Sequence, residues 1–253
     1  TINSLFNFST MKIKSLSILA LFAATFLITG CGSSERQFKG LELSGEDDFV
    51  EFNFSPGFTA NNNFTFEAWV KVLSNITHST VILGPAKTNF GAYGLYTFHE
   101  GKLSFGVRTK DNHAIIETPD FILNQWHHIA GVFNGSDSKV YFYLDGELVA
   151  TKVLMDGDMA LSQNNLLING IEALRGEGVK RGRSQFIISD ARIWNIVRNQ
   201  EKIKEDMHKT LTGKEAGLIA YWPFNEMKGT VANDLTKNQN HGIIHGGKWH
   251  KGK

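Results

Sequence analysis

Three things are scarce in this 253-residue chain: cysteine, proline and unbalanced charge. The single cysteine, Cys31, excludes an intrachain disulfide, so packing alone must stabilise the core. Only four prolines occur, beside 25 glycines and 19 phenylalanines, a composition that suits short strands joined by tight turns. The 26 basic and 25 acidic side chains leave a formal net charge of +1, which provides no basic surface of the kind that binds nucleic acid.

The beginning of the chain has the pattern of an export signal. Residues 1–10 precede the first methionine, and we interpret them as an upstream extension that is not native. Residues 11–30 are predicted to be a signal peptide, because Lys12 and Lys14 precede an uncharged apolar run. That run is too short for a permanent transmembrane helix.

The run ends in Leu27-Ile28-Thr29-Gly30-Cys31, which resembles the lipobox of bacterial lipoproteins. In that family the signal is cut before the cysteine, whose thiol carries the lipid. The resemblance implies that Cys31 is lipidated and that residues 31–40 form a polar tether. Gly32 is not the Asp that favours retention in the inner membrane, so an exported outer-membrane lipoprotein is implied, on either face of that membrane. The alternative is an ordinary cleaved signal peptide with a chance cysteine.

Downstream, runs of alternating apolar and polar residues recur, a pattern typical of β-strands. Phe64–Val72, for example, places its even-numbered apolar residues on one face. Asp145-Gly146 between two such runs predicts a hairpin with a type I′ turn, which needs positive φ at both positions. These patterns predict one all-β domain of two antiparallel sheets packed face to face.

One stretch near the C-terminus breaks the alternation. Asn199–Lys209 places Ile203 and Met207 four residues apart, with charged residues between them. This spacing predicts one short amphipathic helix, and Asn199 is a suitable N-cap.

Several segments, in the same order, resemble the motifs of concanavalin A-like, laminin-G-like jelly-roll domains. They are Leu41–Val50, Phe64–Lys71, Asn124–Ala130, Val140–Glu147, Ile188–Asn195, Leu218–Asn225 and Asp234–Gly242. The resemblance extends from Leu41 to Trp249, within a domain that we predict to span residues 41–253, and it implies a two-sheet jelly-roll β-sandwich. That superfamily includes carbohydrate-binding modules, adhesion domains and glycan-cleaving enzymes, so the fold does not determine the function.

One motif bears on catalysis. Glu46-x-Asp48-x-x-Glu51 has the spacing of the catalytic strand of laminarinase-type glycoside hydrolases, in which two glutamates act as nucleophile and acid/base. In those enzymes an apolar residue stands at the position of Asp47, and the strand is a central one rather than the first of the domain. We therefore interpret the motif as a turn followed by an edge strand, and we predict a protein that is not an enzyme.

A calcium site is a further implication of the resemblance. Such jelly rolls often hold a structural Ca²⁺ between the opening turn and an Asp-rich closing loop. The residues implied here are Asp48 and Asp234, with a backbone carbonyl such as that of Gly45. The alternative is that Asp234 and Asn238 only cap turns with their side chains.

Some conspicuous residues are better explained by packing. The five tryptophans lie in strand motifs that the family uses for its core, so we expect most of them to be buried. His127 and His128 point to opposite faces of a strand and cannot share a metal ion. We expect both to be packed structural residues.

The better candidates for contact with a ligand lie in predicted loops. Phe90 and Tyr93 flank a Gly-Ala dipeptide, and His113 lies in another polar stretch. Arg181 belongs to a Gly- and Arg-rich stretch, residues 174–183, that could contact an anionic glycan or a protein. The alternative for this stretch is a merely solvated loop.

Three functions are compatible with these features. The favoured one is a lipid-anchored, non-catalytic, lectin-like module of the cell envelope that binds a polysaccharide or glycan. The second is an adhesion or envelope-assembly module of the same fold with an extracellular or envelope protein as its partner. The third is a glycoside hydrolase or polysaccharide lyase. We expect no nucleic-acid partner, and contact with the membrane only through the lipid.

Overall fold

The computed structural model describes most of the chain after residue 37. The described residues are 38–44, 47–58, 63–74, 80–85, 93–97, 102–108, 113–119, 123–154, 165–171 and 184–252. All of them belong to the second of the two units into which the chain divides, Gln37–Lys253. They include no helix that is long and apolar enough to cross a membrane. The predictions about the export signal and the lipid on Cys31 concern residues outside this set.

The described residues form two antiparallel β-sheets and one short helix. Sheet A contains β1 (Gly40–Leu43), β3 (Phe64–Val72), β8 (Trp126–Asn134), β9 (Lys139–Leu144), β10 (Glu147–Val153), β13 (Phe186–Trp194), β14 (Leu218–Trp222) and β17 (Lys248–His250). Sheet B contains β2 (Phe49–Phe52), β4 (Thr80–Pro85), β5 (Tyr93–Thr97), β6 (Leu103–Arg108), β7 (His113–Glu117), β11 (Leu166–Ile168), β12 (Gly170–Ile171), β15 (Val231–Ala232) and β16 (Gly242–His245). The helix α1 (Gln200–Asp206) lies between β13 and β14 in the chain. The predicted all-β, two-sheet sandwich with one helix near the C-terminus is confirmed.

Strands from the two ends of the domain are neighbours in both sheets. Sheet A has the order β10-β9-β8-β3-β13-β1-β17, with β14 also paired with β13. Sheet B has the order β15-β16-β2-β11-β4-β5-β6-β7, with β12 also paired with β4. The opening strands β1 and β2 therefore pair with the closing strands β17 and β16.

The core lies between the sheets and follows the alternation of the strands. In β3, Phe64, Phe66 and Val70 point into it and are at most 1% exposed, because successive strand residues face opposite sides. Phe105 of β6 packs against Gly131 of β8, where any β-carbon would overlap the phenyl ring. The two sheets therefore meet closely across one aromatic core.

The outer face of sheet A is covered as well. Ile203 of α1 is fully buried against Ala130 and Val132 of β8. This cover explains why even Glu67, which lies on the outer face of β3, is completely buried.

Two local predictions are confirmed. Asp145 (φ 51°) and Gly146 (φ 78°) form the turn between β9 and β10, with positive φ at both positions. Helix α1 begins after Asn199, whose side-chain oxygen accepts a hydrogen bond of 2.9 Å from the backbone N–H of Lys202. The helix ends at Asp206, somewhat earlier than its sequence pattern.

Packing also explains most of the tryptophans and both adjacent histidines. Three of the five tryptophans are at most 5% exposed, namely Trp69, Trp194 and Trp222. His127 and His128 are buried on opposite faces of β8. Nδ1 of His127 lies 2.7 Å from Oδ2 of Asp145, which ties β8 to the hairpin turn.

Candidate functional site

A cleft of about 580 Å³ opens where several strands end. Its lining comes from four parts of the chain: the segment after β2, the residue after β13, strand β14, and the loop between β15 and β16. The lining residues are Phe54, Pro56, Gly57, Phe58, Asn195, Ile219, Asn238 and Asn240. The cleft thus combines aromatic rings with three side-chain amides, and none of these eight residues carries a charge.

The aromatic side of the cleft is anchored in the core. Phe58 is only 4% exposed, and its ring stacks on Phe64 with a centroid distance of 4.6 Å. Phe54 is half-buried against the core, and its carbonyl oxygen accepts a hydrogen bond of 2.8 Å from the N–H of Leu166. The main chain of Phe54 is therefore held at the cleft, and its ring packs on the core while part of it stays accessible.

The polar side is organised around one backbone carbonyl. The oxygen of Ile219 accepts hydrogen bonds from Nδ2 of Asn238 at 2.8 Å and from Nδ2 of Asn240 at 3.4 Å. The hydroxyl oxygen of Thr236 lies 3.3 Å from the same carbonyl oxygen. Each amide keeps a second N–H and its Oδ1, which accepts no hydrogen bond from any described residue. Two oriented amides can therefore donate to and accept from hydroxyl groups in the cleft.

The loop that carries these amides is held by the buried carboxylate of Asp234, which is 3% exposed. Its Oδ1 accepts from the backbone N–H groups of Tyr221 at 3.0 Å and Thr236 at 2.8 Å. Its Oδ2 accepts from the Thr236 hydroxyl at 2.9 Å and from the backbone N–H of Asn240 at 2.9 Å. Trp222 adds a hydrogen bond of 2.8 Å from Nε1 to the carbonyl oxygen of Asn240.

A family model described as the concanavalin A-like lectin/glucanases superfamily matches residues 44–204, more than half of the chain. The chain belongs to this superfamily. The match confirms the resemblance that the strand motifs carry. It ends before β14 and the closing loop, so Ile219, Asn238 and Asn240 lie beyond it.

Solved structures of this superfamily's fold resemble the chain at low sequence identity. A Bacteroides ovatus protein described as a "putative carbohydrate binding protein" has a TM-score of 0.66 and 17% identity, over 85% of this chain and 60% of that one. The binding domain of Paraclostridial mosquitocidal protein 1 has a TM-score of 0.50 and 14% identity, over 66% of this chain and 45% of that one. A Trypanosoma rangeli sialidase has a TM-score of 0.44 and 19% identity, over 60% of this chain and 24% of that one. For the first two structures the likeness shows the fold alone at these identities. No curated protein matches the sequence.

The structure does not bring together the residues implied for calcium. Asp48 lies just before β2 and contacts Gly246, just after β16, because these two strands are antiparallel. Asp234 lies at the opposite end of β16, where its backbone N–H donates to Nδ1 of His241 at 3.1 Å. The five residue steps from His241 to Gly246 span about 16 Å of extended strand, so one ion cannot bind both carboxylates.

The donor atoms also do not suit calcium. Ca²⁺ takes six to eight oxygen ligands, but the Asp234 carboxylate already accepts four hydrogen bonds. At Asp48, Oδ2 accepts from the N–H of Ser44 at 3.0 Å, and the backbone carbonyl accepts from Nδ2 of Asn169 at 2.8 Å. Gly45 is outside the described residues, and within them no group of three His, Cys, Asp or Glu could hold a metal. The alternative of side-chain-capped turns describes Asp234 better.

The residues predicted to contact a ligand are not those that line the cleft. Tyr93 is fully buried in β5 and packs on Phe58 at 5.5 Å, so its interpretation as a loop aromatic is wrong. Gly94 follows it in a close approach to β4 that leaves no room for a β-carbon. His113 is exposed on β7, away from the lining, and Phe90 and Arg181 lie outside the described residues.

The Glu-x-Asp-x-x-Glu motif occupies a different place from the one expected. Strand β2 pairs with both β11 and β16, so it is not an edge strand. Glu51 is exposed on its outer face, with Oε2 at 3.6 Å from Nε2 of His245. Glu46 lies outside the described residues. Neither Asp48 nor Glu51 lines the cleft.

Sequence reasoning missed Asn195, Asn238 and Asn240 as site residues. All three stood in the motifs that indicate the family, Ile188–Asn195 and Asp234–Gly242. The available signal was the recurrence of asparagine at exposed loop positions beside buried aromatic positions.

Proposed function

We propose that the chain is a non-catalytic carbohydrate-binding module, anchored by a lipid on Cys31 to the outer membrane, and that the cleft binds the sugar. The observation that carries the proposal is the pairing of the Phe54 ring with the amides of Asn238 and Asn240. A pyranose has hydroxyl groups around its edge and an apolar face of C–H groups. Amides match the hydroxyl groups, and an aromatic ring matches the apolar face.

A binding role fits the chemistry of the lining better than a catalytic one. Amide, phenyl and aliphatic groups do not transfer protons at neutral pH, whereas glycosidases need two carboxyl groups on opposite sides of the scissile bond. Membership of a superfamily of lectins and glucanases, and the fold shared with the Bacteroides ovatus protein, support the sugar-binding side of the proposal.

The binding test uses the full chain, affinity gel electrophoresis and calorimetry with dextran, mannan, xyloglucan and polygalacturonate as probes. We expect Asn238→Ala and Phe54→Ala each to weaken binding at least about tenfold, or about 1.4 kcal/mol. The matched controls are Lys237→Ala in the same loop and Phe49→Ala at the other end of β2, and both should bind normally. Retention unchanged in both cleft variants, or no retention by the folded protein, would refute the proposal.

The lipid anchor is tested separately. Cys31→Ser should abolish incorporation of labelled palmitate and move the protein from the membrane fraction to the soluble fraction. An unchanged distribution would show that Cys31 does not anchor the protein, without affecting the proposal for the cleft.

One observation favours a protein partner as a second function. Val231 and Ile243 lie opposite each other in the β15–β16 pair and are 44% and 56% exposed. Exposed apolar residues grouped in this way are common at protein contacts. Ile243→Lys should prevent recovery of a partner from envelope extracts if this surface binds one, and it should leave polysaccharide retention unchanged.

A further inference from the structure

Asp234 lies in the loop that carries both amides, between β15 and β16. In a calcium-bound loop, a carboxylate donates its lone pairs to the metal, and the metal fixes the loop. Here the Asp234 carboxylate accepts one hydrogen bond from strand β14, through Tyr221, and three from its own loop, through Thr236 and Asn240. Four hydrogen bonds match the acceptor capacity of an ionised carboxylate.

These bonds determine where the two amides lie. Tyr221, which is bonded to Asp234, is two residues from Ile219 on β14, and the Ile219 carbonyl receives Nδ2 of Asn238 and of Asn240. Thr236 links the two centres, because its hydroxyl contacts both Oδ2 of Asp234 and the Ile219 carbonyl. Asp234 therefore positions both amides through the backbone of its own loop.

We propose that Asp234 replaces a metal ion as the organiser of the cleft, and that the cleft consequently binds uncharged saccharides without calcium; this proposal rests on the cleft being the sugar site. The negative charge of Asp234 is buried and hydrogen-bonded rather than presented to the ligand. Among the described residues, the lining offers amide donors and acceptors and no cation. A carboxylated or sulfated sugar would lose hydration there without gaining a counter-ion.

The first arm of the test measures metal dependence. The full chain is assayed against dextran, mannan and xyloglucan, and against polygalacturonate and hyaluronate, in EGTA and in excess Ca²⁺. We expect retention of a neutral polysaccharide that is the same in both buffers, and an unchanged Tm. A loss of retention or of Tm in EGTA that Ca²⁺ restores would overturn the inference while leaving the proposed function intact.

The second arm measures selectivity, which a merely structural role of the loop would not change. Asn238→Lys should weaken binding of the neutral probe at least tenfold and create retention of polygalacturonate. Lys237→Ala, in the same loop but outside the lining, is the control and should change neither. A wild-type preference for polygalacturonate or hyaluronate over every neutral probe would overturn the assignment of ligand class.

The third arm tests Asp234 as a positioning residue. Asp234→Asn replaces an acceptor by an N–H donor that opposes the loop N–H groups, so binding should fall at least tenfold. If that variant fails to fold, Thr236→Val removes only the hydroxyl that links Asp234 to Ile219, and it should weaken binding with a smaller loss of Tm. Full binding by a folded Asp234→Asn or Thr236→Val variant would overturn the role of this network. If no probe is retained by the folded wild type, the proposed function fails, whereas the Tm in EGTA still decides whether a metal is held.

Discussion

Oε2 of Glu67 lies 3.4 Å from Nη1 of Arg192, and both side chains are completely buried. The pair lies between sheet A and the segment that contains α1. Arg192 also donates to the carbonyl oxygens of Asp206 at 3.0 Å and Lys209 at 2.9 Å, at the C-terminal end of the helix, where a cation is favourable. Arg198 contacts the other oxygen of Glu67 at 3.4 Å. This cluster holds the helical segment on the sheet.

We expect Arg192→Met to lower the free energy of unfolding by about 3–5 kcal/mol, because it removes one of the two buried arginine partners of Glu67 and the side-chain donor to the Asp206 and Lys209 carbonyl oxygens. Lys202→Met, which removes one side of an exposed ion pair with Glu205, should cost less than about 1 kcal/mol. Urea unfolding of both variants measures the difference. Equal losses would show that the buried cluster contributes no more than a surface pair.

The stability of the Arg192→Met variant should depend on pH in a characteristic way. Burial raises the pKa of Glu67 above its ordinary value, and Arg192 opposes that rise. Without Arg192 the pKa of the carboxyl in the folded state rises further, so the folded state binds a proton more tightly than the unfolded state. The contribution of this proton to stability is then fully present below the ordinary pKa of 4.5 and is lost as the pH rises through the pKa of the folded state. The loss in free energy of unfolding of Arg192→Met relative to the wild type should therefore become smaller in acid. A loss that stays constant with pH would contradict this account.

Asp206 should show the opposite dependence. Burial alone would raise its pKa, but hydrogen bonds from Arg198 at 2.7 Å and Lys209 at 3.1 Å outweigh burial and hold the pKa below 3.8. The contribution of Asp206 to stability is thus present above the ordinary pKa and lost as the pH falls through the folded one. The free energy of unfolding, measured in urea, should be larger for the wild type than for Asp206→Asn at neutral pH. The two values should converge in strong acid. A gap that persists at the lowest pH would show that the charge is not what matters.

A cross-sheet contact gives a further prediction. Because a β-carbon at residue 131 would overlap the ring of Phe105, Gly131→Ala should lower the free energy of unfolding by about 1–3 kcal/mol. Phe105→Leu in the same chain should recover part of this loss, since the overlap is removed. A double-mutant cycle measured by urea unfolding gives the coupling, and strictly additive effects would show that the two residues do not touch.

The local elements could be read from the sequence because their signals are local. Asp145-Gly146 needs no distant partner to form its turn, and Asn199 caps the helix through Lys202, three residues away. Strand β5 was not predicted, because the local signals around it indicate a loop. Gly91 and Gly94 around Tyr93 are typical of a loop, whereas Gly94 is required by a close approach to β4 that only the folded sheet creates.

The site could not be read in the same way, because strand pairing decides which ends meet. Asp48 and Asp234 belong to the opening and closing motifs of the family, which suggested a shared ion. The antiparallel pairing of β2 with β16 instead places Asp48 beside Gly246, after β16, and leaves Asp234 before it. The cleft draws on parts of the chain as distant as Phe54 and Asn240, so motifs that identified the fold did not reveal it.

Phe38, just before β1, makes ring contacts with two tryptophans of sheet A. The ring of Phe38 lies against Trp69 at 4.5 Å and against Trp126 at 4.7 Å, on the outer face of sheet A. Phe38 therefore packs on the domain, although it lies within residues 31–40, the stretch predicted to be the tether. Phe38→Ala should lower the free energy of unfolding by about 1–3 kcal/mol, given about 0.5–1.5 kcal/mol for each aromatic pair.

The ring also shields two fluorophores, so Phe38→Ala should shift tryptophan emission to longer wavelength as water reaches Trp126. Phe38→Tyr keeps both ring contacts and is the matched control, which should keep the wild-type emission and lose less stability. Urea unfolding and emission spectra of the two variants check these expectations. An alanine variant as stable as the tyrosine variant, with unshifted emission, would show that the ring does not hold the chain at this face. The first contact of the described chain with sheet A would then lie at β1, which begins at Gly40.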